Sequence, residues 1–293
     1  MPNIASDIEA GAPNPESCTD NGDGTITDNV TGLMWQQASA MAGLLSGNPG
    51  DDPPGSGAPM ANAAVWSAAT ASCQSLMLAG HADWRLPTLI ELVSIDRFGA
   101  TPAFDPVSFP DPPSDASSEY DDLFMSSTLD ADLQSHGLQV WRVVHSVGGQ
   151  VGEGTASTGQ RLMFRCVRVP QPNPSACRYA YPAAGTVLDT KTNLTWQQAA
   201  PDTGMTYSDA LTYCSTLNVS GTGWRLPTGR ELLTLENYSS AYLLDSTAFS
   251  GALEGVYWST TYGGPMWPNS FVAVRFDIGG TDWTQAVSVR CVR

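Results

Sequence analysis

Cysteine and histidine are the residues of this chain best suited to catalysis or metal binding, and their placement favours neither. The chain has six cysteines and three histidines. No Cys-x-x-Cys pair occurs, which removes the usual signature of a zinc knuckle or a thioredoxin-type redox site. His81, His136 and His145 all fall in the first half of the chain. Serine is abundant, but no Gly-x-Ser-x-Gly nucleophile elbow is present. We predict a protein that is not an enzyme and needs no cofactor.

One acidic loop, Asp20–Gly24, has the composition of a calcium site but not its spacing. It reads Asp-Asn-Gly-Asp-Gly, with glycines where an EF-hand places oxygen-bearing side chains. The corresponding part of the second half, Tyr181–Ala184, has no carboxylate. We predict a tight turn before a strand here, and no metal site.

The elements that would position any site are duplicated. Matching sequences recur far more than 50 residues apart, which indicates duplicated domains, because the repeats of solenoid proteins are only about 20–50 residues long. Three sequences recur in the same order: Leu33–Gln37 and Leu194–Gln198, Trp84–Thr88 and Trp224–Thr228, and Arg-Cys-Val-Arg at 165–168 and 290–293.

These repeats divide the chain into two modules. Module one is the longer because of insertions near 43–60 and 99–122, and long insertions in compact domains are usually functional or contact partners. The predicted organisation is an N-terminal tail or packed segment at 1–17, module one at 18–169, a stiff Pro-rich linker at 170–175, and module two at 176–293.

The repeated pentapeptide Trp-Arg-Leu-Pro-Thr predicts the start of a helix. Pro holds the preceding Leu in an extended conformation. Thr then caps the helix, and a Glu three residues later completes a capping box. We expect the tryptophans in the core and the arginines in structural ion pairs or stacking, rather than in ligand contacts. The motif consists of Trp84, Arg85, Thr88 and Glu91 in module one, and of Trp224, Arg225, Thr228 and Glu231 in module two.

A hairpin and a cysteine-bearing helix precede this motif in each module. Asp28 and Asp189 start the hairpin turns, where a carboxylate accepts backbone N–H groups. Gly32 and Asn193 share the turn position that requires positive φ. The helix of module two carries an apolar stripe at helical spacing, formed by Tyr207, Ala210, Leu211, Cys214 and Leu217.

Composition indicates an exported, acidic protein. The formal net charge is -16, so the surface repels nucleic acid and anionic lipid. No apolar stretch reaches the length of a membrane span. An even number of cysteines suits an oxidising, extracytoplasmic compartment. Residues 1–7 have neither a basic region nor an apolar core, so an export signal is expected to be absent from this numbering.

Five features, taken in order, resemble one bacterial family. They are the hairpin ending in Trp-Gln, the helix with Cys, the Trp-Arg-Leu-Pro-Thr helix, Tyr-Trp-Ser-Thr and the terminal Arg-Cys-Val-Arg. The family is the domain of unknown function named after the C-terminal domain of the Legionella collagen-like protein (Lcl). Module one departs from the pattern at 123–128, where Leu-Phe-Met-Ser-Ser-Thr replaces the Val-Tyr-Trp-Ser-Thr-Thr of module two. The family resembles the formylglycine-generating-enzyme branch of the C-type lectin fold. The resemblance implies an α+β chain of two tandem C-type-lectin-like modules, each with two helices on short antiparallel strands and long loops.

The resemblance and the symmetry of the modules also imply disulfides. The pairs Cys73–Cys166 and Cys214–Cys291 would join the first helix of each module to its last strand. Cys18 and Cys177 remain, and we predict that they pair with each other and staple the modules. The alternative is that each bonds a neighbouring subunit.

Functionally, the resemblance implies a non-catalytic surface protein that recognises a glycan or protein ligand, or mediates adhesion. Aromatic residues with Asn and Asp suit sugar rings or protein epitopes. The predicted ligand residues are Tyr262, Trp267, Asn269, Asp282 and Trp283. A core position is an equal alternative for Trp267 and Trp283, and is the prediction for Trp258. The alternative functions are a structural subunit of an extracellular filament or surface layer and, third, an enzyme of the formylglycine-generating-enzyme-like fold.

Overall fold

The computed structural model describes most of both modules. The described residues are 2–3, 5–9, 12–44, 59–97, 104–110, 123–129, 140–144, 150–153, 161–169, 178–235, 244–251, 255–262, 271–276 and 287–293. The predicted linker lies outside these ranges.

Within them the chain is a mixture of short helices and short strands. The helices are α1 (Ala5–Glu9), α2 (Pro59–Ser75), α3 (Leu89–Ile95), α4 (Tyr207–Thr216) and α5 (Gly229–Thr234). The strands are β1 (Cys18–Asp20), β2 (Thr25–Asp28), β3 (Met34–Gln36), β4 (Ala40–Leu44), β5 (Leu123–Leu129), β6 (Val140–Val144), β7 (Gln150–Glu153), β8 (Arg161–Phe164), β9 (Val167–Arg168), β10 (Tyr179–Ala180), β11 (Thr186–Asp189), β12 (Leu194–Gln197), β13 (Gly255–Tyr262) and β14 (Phe271–Phe276). The predicted α+β class is confirmed at this level.

The strands form small sheets that are mainly antiparallel. Module one has the sheets β1-β2-β3-β9 and β4-β8-β5-β6-β7, and module two has β10-β11-β12 and the pair β13-β14. Among these strands, β5 and β8 pair in parallel. Module two repeats that parallel contact as a single bridge between Tyr257 and Ser288. The two modules therefore share this parallel contact as well as motifs.

Turn chemistry fixes the opening hairpins as predicted. Asp28 Oδ1 accepts the backbone N–H of Val30 at 2.9 Å, and Asp189 Oδ1 accepts that of Lys191 at 2.9 Å. Gly32 has φ +73° and Asn193 has φ +56°. Gly and Asn are the residues that adopt this left-handed conformation most readily, so both turns close in the same way.

The helix of module two, α4, confirms most of the predicted stripe and corrects one member. Thr206 caps it and accepts the N–H of Asp209 at 3.2 Å, while Ala210 and Cys214 are fully buried. Leu211 is 39% exposed, so its predicted place in the core is wrong. The buried face is narrow, and Leu211 lies about 100° around the helix from Ala210.

Two disulfides tie the first long helix of each module to the end of that module. Cys73 bonds Cys166 and Cys214 bonds Cys291, each with a Cα–Cα distance of 5.5 Å. Both predicted pairs are confirmed. Cys18 is exposed and bonds none of the other described cysteines, and Cys177 lies outside the described residues, so the predicted staple between modules stays a prediction.

The two modules share a hydrophobic core. One buried cluster contains α3 and α5 side chains, such as Leu92 and Leu232, together with Trp35 and Trp196 from the two opening hairpins. Smaller clusters surround each disulfide. The modules are therefore halves of one packed body rather than independent units.

The described N-terminal residues pack against module two of their own chain. Helix α1 contacts β13. The Asp7 carboxylate accepts the Thr261 hydroxyl at 3.1 Å, and the Pro2 carbonyl accepts Arg230 Nη1 at 2.6 Å. None of the described helices is both long and apolar enough to cross a bilayer.

Replacing both Cys214 and Cys291 with Ser should lower the free energy of unfolding by about 4 kcal/mol, because the bridge closes a long loop in the unfolded chain. Chemical denaturation of the oxidised protein measures this. Cys18→Ser tests the predicted staple with Cys177 in the same assay: unchanged stability would show that Cys18 is free in solution. An equal loss in Cys18→Ser would show that Cys18 is bridged.

Candidate functional site

The repeated pentapeptide, together with the Glu three residues after its Thr, forms an internal clamp in each module. In module two, Arg225 Nη1 and Nη2 donate to the Glu231 carboxylate at 2.8 and 2.6 Å. Glu231 also accepts the backbone N–H of Thr228 at 2.9 Å, while the Thr228 hydroxyl accepts the N–H of Glu231 at 3.1 Å. The capping box and the ion pair thus use the same carboxylate.

Module one repeats the clamp in a more exposed setting. Arg85 donates to the two Glu91 oxygens at 2.7 and 2.5 Å, and Thr88 completes the capping box. Partial burial opposes ionisation of Glu91, but the hydrogen bonds and charge of Arg85 prevail and the pKa of Glu91 lies below its ordinary value. The pair stays ionised at neutral pH, so neither group is suited to proton transfer.

The motif tryptophans belong to the core, as predicted. Trp84 is 2% exposed and Trp224 is 3% exposed. The Trp224 indole N–H donates to the Gly221 carbonyl at 3.0 Å, and the Arg293 guanidinium lies over the ring at 4.7 Å. The hydrogen bond satisfies the polar edge of the ring inside the protein, and the guanidinium covers its face.

Two buried arginines, Arg165 and Arg290, were not singled out from the sequence. Arg290 Nη1 donates to the carbonyls of Gln197 and Gln198 at 2.9 and 2.7 Å. Its guanidinium also lies 4.8 Å from the Phe249 ring centroid. Arg165 donates to the carbonyls at 36 and 37 in the same way. Each arginine therefore fastens the closing segment to the Trp-Gln-Gln segment of its own module.

A repeated sequence signal marks these arginines. The aromatic partners are Phe109 in module one and Phe249 in module two. Each follows an Asp by four residues, in Phe104-Asp-Pro-Val-Ser-Phe109 and Leu244-Asp-Ser-Thr-Ala-Phe249. That recurrence, taken with the repeated Arg-Cys-Val-Arg, could have indicated an arginine–aromatic contact.

A second unforeseen feature is a buried Asp96 near Arg230, where the modules meet. Both side chains are essentially inaccessible to solvent. Within the described residues, neither Asp96 carboxylate oxygen accepts a hydrogen bond of normal geometry. Burial raises the pKa of Asp96 well above its ordinary value, against the opposing charge of Arg230. This pair lies inside the shared core and is closed to substrates.

The predicted ligand residues fall almost wholly outside the described chain. Tyr262 ends β13 and pairs with Phe271 of β14. Trp267 and Asn269 lie between those strands, and Asp282 and Trp283 follow β14, all four outside the described residues. The two segments attach at opposite ends of a six-residue strand, about 20 Å apart. Their convergence on one ligand stays a prediction.

Trp258, by contrast, is a packing residue, as predicted. Its indole N–H donates to the Met205 carbonyl at 2.8 Å, and its ring meets Tyr207 edge-on with centroids 5.5 Å apart. Module one has its tryptophan on the helix instead: Trp66 stands at the position of Tyr207, and Met125 stands at the position of Trp258. The Trp66 indole N–H donates to the Ser126 carbonyl at 3.0 Å. The different strand sequence at 123–128 is therefore accompanied by a matching change on the helix.

The acidic loop of module one is a tight turn, as predicted. Asp20 Oδ1 accepts the N–H of Gly22 at 2.8 Å, and Asp23 Oδ1 accepts that of Thr25 at 3.1 Å. Gly22 and Gly24 have positive φ. In the part of the chain that the structure describes, no three metal-ligating side chains come together.

Comparison with known proteins gives one match. The family model of the Lcl C-terminal domain matches residues 24–168 and again residues 185–293. Each match contains one disulfide and one copy of the pentapeptide. No curated protein and no solved structure matches the chain.

Two substitutions test the structural role of the motif. Thr228→Ala should cost about 1 kcal/mol through loss of the helix cap, and Trp224→Ala should cost about 3–5 kcal/mol through loss of a core aromatic. Thr88→Ala is the matched control, a cap of the same geometry in an exposed position. Thermal and denaturant unfolding measure these effects. An unchanged melting temperature in Trp224→Ala, combined with lost ligand binding, would show instead that the motif is a binding site.

Proposed function

Since the chain belongs to the Lcl C-terminal domain family and carries the domain twice, we propose that it is a non-catalytic exported bacterial surface protein for ligand recognition or adhesion. It binds a glycan or protein ligand through loops of module two. We further propose that each module is a variant of the C-type lectin fold related to formylglycine-generating enzymes.

The observation that carries this proposal is the internal use of the repeated chemistry-bearing residues. Glu91 and Glu231 are occupied by arginine and by the helix cap. Arg165 and Arg290 are buried on backbone carbonyls. What the family repeats is therefore a scaffold, which leaves recognition to segments that differ between the modules.

The hairpin β13–β14 supports loops well, because β13 is pinned to the motif. The Thr260 N–H donates to the Pro227 carbonyl at 2.8 Å, and the Gly229 N–H donates to the Thr261 hydroxyl at 2.8 Å. Binding residues held at the ends of rigid elements lose little entropy on binding. The strand that leads into Trp267 and Asn269 meets this requirement.

The chemistry of the proposed loops suits an uncharged or cationic ligand. Tyr262, Trp267 and Trp283 offer rings for stacking, and Asn269 and Asp282 offer hydrogen bonds. A net charge of -16 disfavours nucleic acid and other polyanions. The two disulfides support an extracellular or cell-surface location.

An enzyme of the formylglycine-generating type would need a reactive cysteine, and the described cysteines do not favour one. Four are paired in disulfides. The fifth, Cys18, is predicted to pair with Cys177; as a free thiol its pKa would be raised to about 11, by desolvation of its sulfur among protein atoms and by the charge of Asp28. Its thiol is therefore largely protonated at neutral pH and a poor nucleophile.

The filament alternative receives less support from the N-terminal segment. A polymer built on that segment would place it on a neighbouring copy. Its described residues instead contact module two of the same chain, through Pro2 and Asp7. Electron microscopy of the purified protein should show monodisperse particles, and filaments would favour the structural-subunit function.

Trp267→Ala and Trp283→Ala should each abolish binding to the ligands found on glycan and cell-binding arrays, with no change in melting temperature. Tyr181→Ala is the control, an exposed aromatic of module two that is 54% accessible, and it should bind normally. Unchanged binding with a lowered melting temperature would place both tryptophans in the core and contradict the proposed site.

A further inference from the structure

We propose that module one carries a binding pocket for a para-substituted phenol ring, at the place that a tyrosine of module two fills in its own module. The pocket lies beside the Cys73–Cys166 disulfide, between α2, β4 and β8. It shares no residue with the loops proposed above and does not depend on them.

Module two shows how the place is filled. Tyr213 lies on α4 directly before Cys214 and packs against the cluster around the disulfide. Its hydroxyl accepts the side-chain N–H of Gln197 at 2.7 Å. The other end of that amide, Gln197 Oε1, accepts the N–H of Cys291 at 3.3 Å. The phenol therefore completes a hydrogen-bonded chain that ends at the disulfide.

Module one keeps the glutamine and lacks the phenol. Gln36 Oε1 accepts the N–H of Cys166 at 3.2 Å, the same contact as in module two. The residue before Cys73, which corresponds to Tyr213, is Ser72. Among the described residues, no side chain or carbonyl accepts a hydrogen bond from Gln36 Nε2. The donor that holds Tyr213 in module two is thus left to solvent in module one.

An open pocket of about 330 Å³ lies at this position. Gln36 and Ser72 contribute to its wall, and the apolar part includes Ala40, Leu76 and Phe164. This volume is at the lower end of the range for small-molecule pockets. A mainly apolar wall with one amide donor matches a ring that carries one oxygen. The tyrosine of module two is the template for that occupant.

Small side chains in module one leave this place open, and the disulfide beneath it keeps its geometry. Ser72 is solvent-exposed on α2, and Ala40 lies in the neighbouring strand β4. The disulfide beneath has the same Cα–Cα distance, 5.5 Å, in both modules. The pocket is therefore preformed, and a ligand need not reorganise the core to enter it.

The test uses the full-length oxidised protein and 4-methylphenol as the probe. Titration followed by ¹H–¹⁵N NMR should shift the side-chain amide signals of Gln36. Toluene has the same ring and no oxygen, and it should bind about tenfold more weakly because one hydrogen bond is lost. Equal binding of the two probes, or unshifted Gln36 signals at saturating 4-methylphenol, would overturn the proposal.

Two reciprocal substitutions sharpen the test. Ser72→Tyr recreates the module-two arrangement and should abolish binding of 4-methylphenol. Tyr213→Ser should lower the melting temperature and open a second site, so that 4-methylphenol raises the melting temperature of this variant more than that of the wild type. Ser75→Tyr, on the exposed end of the same helix, is the control and should bind as the wild type does. Undiminished binding in Ser72→Tyr would contradict the site.

The source of the phenol is distinguished by comparing 4-methylphenol with N-acetyltyrosine amide. Tighter binding of the amide indicates that the pocket accepts a tyrosine side chain of a peptide, and weaker binding indicates a free phenol. Either result supports a phenol site. Failure of both probes to bind overturns it while leaving the proposed loop site untouched.

Discussion

The contact between α3 and α5 is the constraint on which the rest of the molecule depends. These helices have seven and six residues, too few to be stable alone in water. Each persists because a threonine cap and a glutamate paired with arginine fix its first turn and because its apolar face is buried. Since that burial occurs in a core common to both modules, the motif that starts the helices also determines how the modules join.

The buried arginines and the disulfides position the chain around that core. Arg165 and Arg290 hold the closing segments against the Trp-Gln-Gln segments, and the disulfides hold the same closing segments against α2 and α4. Buried arginine is costly unless its donors are satisfied. Here carbonyls and an aromatic ring satisfy most of them, so the same side chain that could have bound a ligand serves the fold.

Much of this could be predicted from the sequence because the signals are local. A capping box needs only Thr and Glu at a fixed spacing, and the hairpin turns need only Asp followed by Gly or Asn. The disulfide pairs could be predicted from the symmetry of the modules and the family resemblance. The carbonyl acceptors of Arg290 could not be predicted, because they lie far from it along the chain. Nor could the shared core, since an apolar stripe looks the same whichever module covers it. The prediction that Leu211 is buried was wrong for a related reason: helical spacing gives the side of a helix that faces the core but not the width of the face that is covered.

The modules differ where the scaffold tolerates it. The exchange of Trp66 and Met125 for Tyr207 and Trp258 keeps the space between helix and strand occupied by large side chains. The exchange of Tyr213 for Ser72 does not, and it leaves a cavity beside an unchanged glutamine. Duplication therefore provides an internal reference, in which one module shows what the other lacks.

Calorimetric unfolding of the oxidised chain tests the shared core most directly, with Leu92→Ala as the perturbation. Leu92 is fully buried on the module-one side of the shared core, and its truncation should cost about 2–5 kcal/mol. The structure predicts one transition in the wild type, with equal calorimetric and van't Hoff enthalpies, and one transition in the variant at a lower temperature. Two transitions, of which only one shifts to lower temperature in Leu92→Ala, would show that the modules unfold independently and would contradict a shared core.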